Sequence, residues 1–202
     1  MLSVADGKVR FGMQALTLTT VLFVGGESRR MGADKATLMI AGKPLWMRQL
    51  EILRSMVPDR LLISARTRPI WTPEDIDVVL DEPPSRGPLS GLVAALQVIK
   101  TTHLLALAID MTEMTTDHLM MLWNLASENM GVAPLSGKFY EPLCAIYPAT
   151  ATLSAGRALA SGQLSLQTLV DDLVGQNSVR TFPVGETYKF LYRNRNSPED
   201  MN

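Results

Sequence analysis

The run His103-Leu-Leu-Ala-Leu-Ala-Ile109 is apolar on both of its alternating faces and is halted by Asp110. Successive side chains of a strand point to opposite sides of the sheet, so such a run has no face to offer water. It must lie centrally, with helices above and below. It is also far short of the ~18–20 apolar residues that cross a bilayer, and no other run is longer, so a membrane-spanning chain is not expected. From Leu18 onward the text alternates β-rich runs with longer helical patterns, the order that builds parallel strands with helices on both faces. Strands are expected at Thr19–Val24, Arg60–Ala65 and Asp77–Leu80. Shorter strands are expected near 131–135, 143–147, 178–182 and 189–192.

Between them, Pro44 opens a helix whose Leu45, Trp46, Leu50, Leu53 and Met56 recur near the 3.6 period, and Pro58 stops it. A proline- and glycine-rich loop, with Pro83, Pro84, Gly87 and Pro88, leads to a second helix over Leu89–Ile99. Thr115 or Thr116 is placed to cap a third, which carries Leu119, Leu122, Trp123 and Leu125 and which Gly131 closes. Helices are expected again near 150–161 and 165–174. Residues 1–17 show no sustained period and read as an extension before a single domain over 18–202.

With 202 residues, the chain can bury about 70% of its unfolded surface without staples. Nineteen Lys+Arg against 20 Asp+Glu leave a net charge of −1, which argues against wrapping a nucleic-acid backbone. Asp6, Lys8 and Arg10 within Met1–Arg10 interrupt what a secretory signal would need, so a cytoplasmic location is expected. A single cysteine, Cys144, excludes an internal disulfide and a cysteine-cluster zinc site. It reads as a buried inert thiol, and His103 and His118, with no third ligand beside them, read as core or surface histidines. Met111, Met114, Met120 and Met121 read as core filling.

The chemistry concentrates after the first strand, in Val24-Gly-Gly-Glu-Ser-Arg-Arg-Met-Gly-Ala-Asp-Lys35. Adjacent glycines free backbone N–H groups to meet phosphate oxygens, and Arg29, Arg30 and Lys35 add charge. The alternative is a tight turn with surface arginines. The loop is not of Walker type, because five residues separate Gly26 from Gly32 and no Gly-Lys-Ser/Thr follows, and it lacks the dinucleotide Gly-x-Gly-x-x-Gly. Asp110, at the C-terminal end of the central strand, stands where ligands of open α/β sheets bind. It is either a ligand for a hard cation or a turn-capping carboxylate.

Gly25-Gly-Glu-Ser-Arg-Arg-Met-Gly-Ala-Asp-Lys35 is similar to the Gly-Gly-x-Ser-x-Arg-Met-Gly-x-Asp-Lys signature of nucleotidyltransferases of the molybdenum cofactor guanylyltransferase type. Gly42-Lys-Pro-Leu-Trp46, Gly87-Pro-Leu-Ser-Gly91 and Asn194-Arg-Asn-Ser-Pro-Glu-Asp200 agree with that family in order and context, so the resemblance spans residues 18–202. It implies a Rossmann-like three-layer α/β/α fold with a mostly parallel sheet. It also implies Mg²⁺-dependent transfer of GMP from GTP to the phosphate of molybdopterin-bound metal, with release of pyrophosphate. Phe23, Val24, Gly25, Gly26, Arg30, Lys35, Ser64, Asp81 and Asp110 would then bind nucleotide. Arg30, Lys35 and Asp110 would act in catalysis, and Asp110 would hold the metal. Asp81 would read the guanine edge, Glu141-Pro-Leu143 would face the acceptor, and Asn194 and Asn196 would position the C-terminal segment. The resemblance also implies transient contact with proteins that deliver the cofactor or receive it.

Three departures from the pattern stand out. The family's Leu-Ala-Gly-Gly is here Phe23-Val-Gly-Gly26, and its Asp-Met-Pro turn is Asp110-Met-Thr112, which loses the fixed φ of proline. Ser64 stands where an Asn can donate and accept with a base, which leaves CTP, or another small phosphorylated acceptor, as the rival pairing. A homologue that binds nucleotide without turnover is the other alternative.

Overall fold

The computed structural model describes residues 15–25, 35–81 and 85–193, together with the backbone of 4–5 and 8–9. Near the N-terminus β1 (Val4–Ala5) and β2 (Lys8–Val9) form an antiparallel pair. The main sheet begins at β3 (Leu18–Phe23). After a hairpin of β4 (Met39–Ile40) and β5 (Lys43–Pro44), the chain runs through α1 (Leu45–Ser55), β6 (Arg60–Ala65), β7 (Asp77–Leu80), α2 (Pro88–Val98) and β8 (His103–Ala108). There follow α3 (Thr116–Asn124), β9 (Gly131–Ser136), β10 (Phe139–Tyr140), β11 (Ile146–Pro148), α4 (Ala151–Ser161), α5 (Leu166–Gly175) and β12 (Val179–Pro183).

Strands β7, β6, β3 and β8 are parallel neighbours, β11 adds antiparallel to β8, and β9 pairs with β11, β10 and β12. The mostly parallel sheet expected from the sequence is therefore present. Alternation along each central strand divides the core in two. Leu18 and Leu22 of β3, Ile63 of β6 and Leu105 and Leu107 of β8 pack with α1 and α3. Val21, Phe23, Leu62, Leu104 and Ala106 pack with α2, α4 and α5 on the other side. Each fully buried Leu contributes on the order of 2 kcal/mol. That burial on both faces is why β8 carries no polar face.

The chain lays β6 and β7 on one side of β3, then crosses through α2 to put β8 on the other. This reversal is a topological switch point, and it opens a crevice beyond the C-terminal ends of β3 and β8. Phe23 is level with Ser64 of β6 and Ala108 of β8. Backbone bonds from Val24 N–H to Ser64, Ile109 N–H to Phe23 and Asp81 N–H to Ala65 carry the ladder onto the rim at 3.0, 3.0 and 3.1 Å.

Two expected strands are otherwise. Around 143–147, Pro142–Cys144 form a 3₁₀ turn and only Ile146–Pro148 pair in the sheet. Pro142, with no N–H to give a ladder, begins that turn. Residues 189–192 lie in the 3₁₀ helix Glu186–Tyr192, where a pattern of alternating aromatics serves packing rather than pairing. The third helix stops at Asn124, before a Ser127–Met130 bridge, and not at Gly131. Thr115 caps it, its hydroxyl accepting from His118 N–H. Thr17, at the end of the expected extension, already accepts from His103 N–H at 3.1 Å.

Candidate active site

Phe23, Gly25, Ser64, Asp81, Asp110 and Lys35 converge on the rim, with Val24 half-buried beside them. Gly26 and Arg30 lie outside the described residues, as do Asn194 and Asn196. A cavity of about 520 Å³ opens over β3 and β6, lined among others by Phe23, Gly25, Ser64, Arg66, Asp81 and Arg86. That volume is typical of a small-molecule site. Its floor depends on Gly91 in the first turn of α2. A Cβ there would meet Ser64 Oγ at 2.7 Å, Asp81 Oδ1 at 3.0 Å and Phe23 Cε1 at 3.3 Å. The missing side chain lets the helix N-terminus sit directly against the two polar groups. At Gly25 a Cβ would meet Arg66 only at an ordinary 3.9 Å, so the fold leaves room there and the absent side chain keeps the cavity wall open.

Asp81 is held from one side by the Ser85 hydroxyl, which donates to Oδ2 at 2.8 Å. Gly87, at φ +80, turns the chain into Pro88 at the first position of α2, and Ser90 Oγ accepts from Arg86 N–H at 2.8 Å. The positive end of α2 and the cation of Arg86 thus border a cavity with one carboxylate, an arrangement suited to a polar ring carrying both donors and acceptors.

Beyond Pro88 and Leu143, which line both, lies a second cavity of about 310 Å³, reaching Asp110, Glu141, Ser165 and Gln167. Lys35 Nζ stands 3.6 Å from Asp110 Oδ2, with the two side chains 15% and 27% exposed. The turn that carries Asp110 lacks the expected proline, yet it is fixed. The buried Gln49 amide of α1 donates to Met111 carbonyl at 2.9 Å, and Met111 N–H and Met114 N–H bond back to Ala108 and Met111. Gln49 Oε1 itself finds no partner among the described residues. Across the cavity Gln167 clasps Tyr140, accepting from its N–H and donating to its carbonyl, both at 2.9 Å. Burial, and after it the Asp110 carboxylate, pushes the neighbouring Glu141 carboxyl up to about 7.

Among the described residues no group of three or more His, Cys, Asp or Glu side chains is assembled to hold a metal. Asp110 offers hard oxygen at the rim with Glu141 near it, a donor set that suits an ion taking one or two carboxylates and completing its shell from phosphates and water. That is the habit of Mg²⁺ and it fits these residues. Cys144 is buried and burial holds its thiol far above the range of a nucleophile, in line with an inert thiol. His103 and His118 are both buried in aromatic surroundings.

Sequence reasoning missed Gln49, Ser85, Arg66 and the α5 end of the second cavity. Gln49 had a detectable signal, a polar residue on the apolar stripe of α1. Ser85 and Gln167 act through contacts that no spacing encodes.

No helix of the described residues is long and apolar enough to cross a membrane. Residues 20–177 match the profile of the MobA-like NTP transferase domain. The chain is 33% identical over 189 residues to the probable molybdenum cofactor guanylyltransferase of Opitutus terrae, covering 92% of this chain and 94% of that one. The crystal structure of molybdopterin-guanine dinucleotide biosynthesis protein A from Archaeoglobus fulgidus shares the fold, with TM-score 0.68, 24% identity, and 91% and 94% coverage. So does 4-diphosphocytidyl-2C-methyl-D-erythritol synthase from Anaerococcus prevotii, with TM-score 0.68 at 10% identity over 92% and 95% of the two chains. Two cavities meeting beside a carboxylate at the switch point of a parallel sheet, and a sequence match over most of the length, have one reading in common: the chain belongs to the MobA-like NTP transferase family.

Proposed function

We propose that residues 18–202 act as one domain that transfers GMP from GTP to the phosphate of molybdopterin-bound metal and releases pyrophosphate. The observation that carries this reading is the shared wall of Pro88 and Leu143 between the two cavities, with Asp110 and Lys35 beside it. Donor and acceptor bound on either side of that wall would meet at a carboxylate and a cation. The name of the Opitutus terrae relative supports the choice of reaction.

In the transfer, an oxygen of the acceptor phosphate forms a bond to the α-phosphorus. The bond from that phosphorus to the bridging oxygen breaks, and pyrophosphate leaves with the electron pair. Little covalent help is needed, so the chain's task is to align the groups and offset charge. Asp81, steadied by Ser85, takes the N–H edge of guanine, and the floor over Gly91 and Ser64 admits the ring. The amides of Gly25 and Gly26, with Arg30 and Lys35, receive the triphosphate. Opposite charges 4 Å apart are worth about 4 kcal/mol at an effective dielectric near 20 and about 1 in water, so Lys35 gains from its half-buried place. Asp110 and Glu141 would hold Mg²⁺, which supplies charge neutralisation on the phosphates when bound.

A second reading, with CTP as donor, is favoured by one feature. Ser64 presents a single hydroxyl at the cavity floor where an amide would distinguish a purine edge more fully. Calorimetric titration with GTP, CTP, ATP and UTP, each with and without Mg²⁺, tests both. Selective GTP binding strengthened by Mg²⁺ is expected. A CTP preference would shift the reading to cytidylyl transfer, and no binding to any nucleotide would leave a homologue that has lost the activity.

A further inference from the structure

The buried stripe of α1 reads Leu45, Gln49, Leu53, one residue per turn, and the middle one is an amide. Leu45 and Leu53 are fully buried, and Gln49 is 1% exposed. Its Nε2 donates to the carbonyl of Met111, the residue after Asp110, at 2.9 Å, and its Oε1 is buried with no hydrogen-bond partner among the described residues. Turning the amide over would set its oxygen against that carbonyl, so this orientation is the one the site allows and the oxygen is left stranded.

The turn keeps its folded form by other means. Met114 N–H also bonds to the Met111 carbonyl, at 3.1 Å, and Met111 N–H bonds to Ala108 at 3.3 Å. Met111 and Met114 are buried in the same core cluster as Leu45, Leu50 and Leu53. Gln49→Met would therefore leave the Met111 carbonyl with a donor and would remove one unpaired oxygen. A buried amide that the core does as well without points to a role outside stability. Methionine side chains repack easily, so their burial holds the turn in place without fixing how Asp110 is aimed.

What the amide adds is a fixed spacing, because α1 also carries the other member of the Lys35–Asp110 pair. Lys35 begins the 3₁₀ turn Lys35–Thr37, and Leu38 N–H closes on its carbonyl at 3.2 Å. Leu45 N–H, in the first turn of α1, then donates to the Leu38 carbonyl at 2.8 Å. One helix thus grips the lysine's turn at its start and the carboxylate's turn one helical turn further on, beneath charged atoms that stand 3.6 Å apart.

We propose that Gln49 is a positioning residue for the transfer step. Through the Met111 carbonyl it sets the aim of Asp110 against Lys35, and it takes no part in binding the base. That the step is nucleotidyl transfer rests on the reading above.

The test uses the full chain with Gln49→Met and Gln49→Leu. Both are expected to lower kcat about tenfold, the scale of a small misplacement of an aligned group. The melting temperature should stay within about 3 °C of wild type, and the GTP dissociation constant without Mg²⁺ within about twofold. Thr112 stands second in the turn Met111–Met114, where the fixed φ of proline is the one wanted, so Thr112→Pro should stiffen the same turn by another route. In that background the loss of Gln49 should cost less than about twofold in kcat. Amide hydrogen exchange without substrate gives a readout independent of the reaction: Gln49→Met should speed exchange at Met111 and Met114, and Thr112→Pro should reverse it. A kcat near wild type in Gln49→Met, a loss that Thr112→Pro does not relieve, or unchanged exchange at both amides would overturn the proposal. So would a fall in melting temperature of about 10 °C or more, which would make Gln49 a packing residue. If wild type transfers no nucleotide, the functional reading fails instead, and exchange at Met111 and Met114 still decides whether the amide holds the turn.

Discussion

Replacing Glu141 with glutamine should make the protein more stable in alkali and change little in acid. Burial and the neighbouring Asp110 carboxylate lift Glu141 from 4.5 to about 7. Folding therefore favours its protonated form. Below pH 4.5 both folded and unfolded chains carry the proton and the group is neutral to stability. Between 4.5 and 7 the folded chain holds a proton that the unfolded chain has released, so stability falls as pH rises, and above 7 the full cost is present. That lift corresponds to a ceiling of about 3.4 kcal/mol. Glu141 is only partly buried and water screens part of that, which leaves about 1–2 kcal/mol. Glutamine keeps the shape and cannot ionise. In thermal melts with a chelator present, Glu141→Gln should exceed wild type by about 2–8 °C at pH 8.5 and match it near pH 4.5. His103 and His118, both lowered by burial, make stability fall as pH drops below 6.5, but they do so equally in both proteins and cancel in the difference. A difference that is the same at both pH values would refute the reasoning.

Asp110→Ala should lower nucleotidyl transfer at least about 10²-fold while the protein stays folded, as removal of a principal charge stabiliser commonly does; steady-state rates near wild type would remove Asp110 from the chemistry. Gly91→Ala should raise the nucleotide dissociation constant about tenfold, since its Cβ would stand 2.7 Å from Ser64 Oγ and 3.0 Å from Asp81 Oδ1. The helix itself gains from alanine, so its melting temperature should hold, and an unchanged affinity in calorimetry would show that the cavity floor yields. Deleting residues 1–15 should shift the melting temperature by no more than a few degrees, because among the described residues backbone bonds to the core start at Thr17. A large drop would make the extension part of the core.

The sheet was legible because strands buried on both faces leave a dense apolar signature, as β3, β6 and β8 do, and because Gly and Pro punctuate the connections. The 3₁₀ helix Glu186–Tyr192 was not, since Tyr188, Phe190 and Tyr192 alternate as a strand would while Tyr188 and Tyr192 pack on the ring of His118 far earlier in the chain. Asp110 followed from the end of its strand, whereas Phe23, Ser64 and Asp81 entered through the family resemblance. The aim of Asp110 did not, because the group that replaces proline in fixing its turn is an amide from α1 62 residues away. Local pattern reveals which residues reach the rim, and only the packed structure reveals which distant side chain keeps each one still.

The wall shared by Pro88 and Leu143 bears on what happens after the chemistry. On the proposed reading two substrates would enter separate cavities as independent particles, but a dinucleotide product would fill both as one molecule. Having given up the freedom of a single body where the substrates gave up that of two, it holds on with the sum of both sets of contacts. Departure of the product would then be the slow passage of the cycle. On that reading the same wall that brings the substrates together would slow the parting of the product, so tighter cavities would gain affinity and lose turnover.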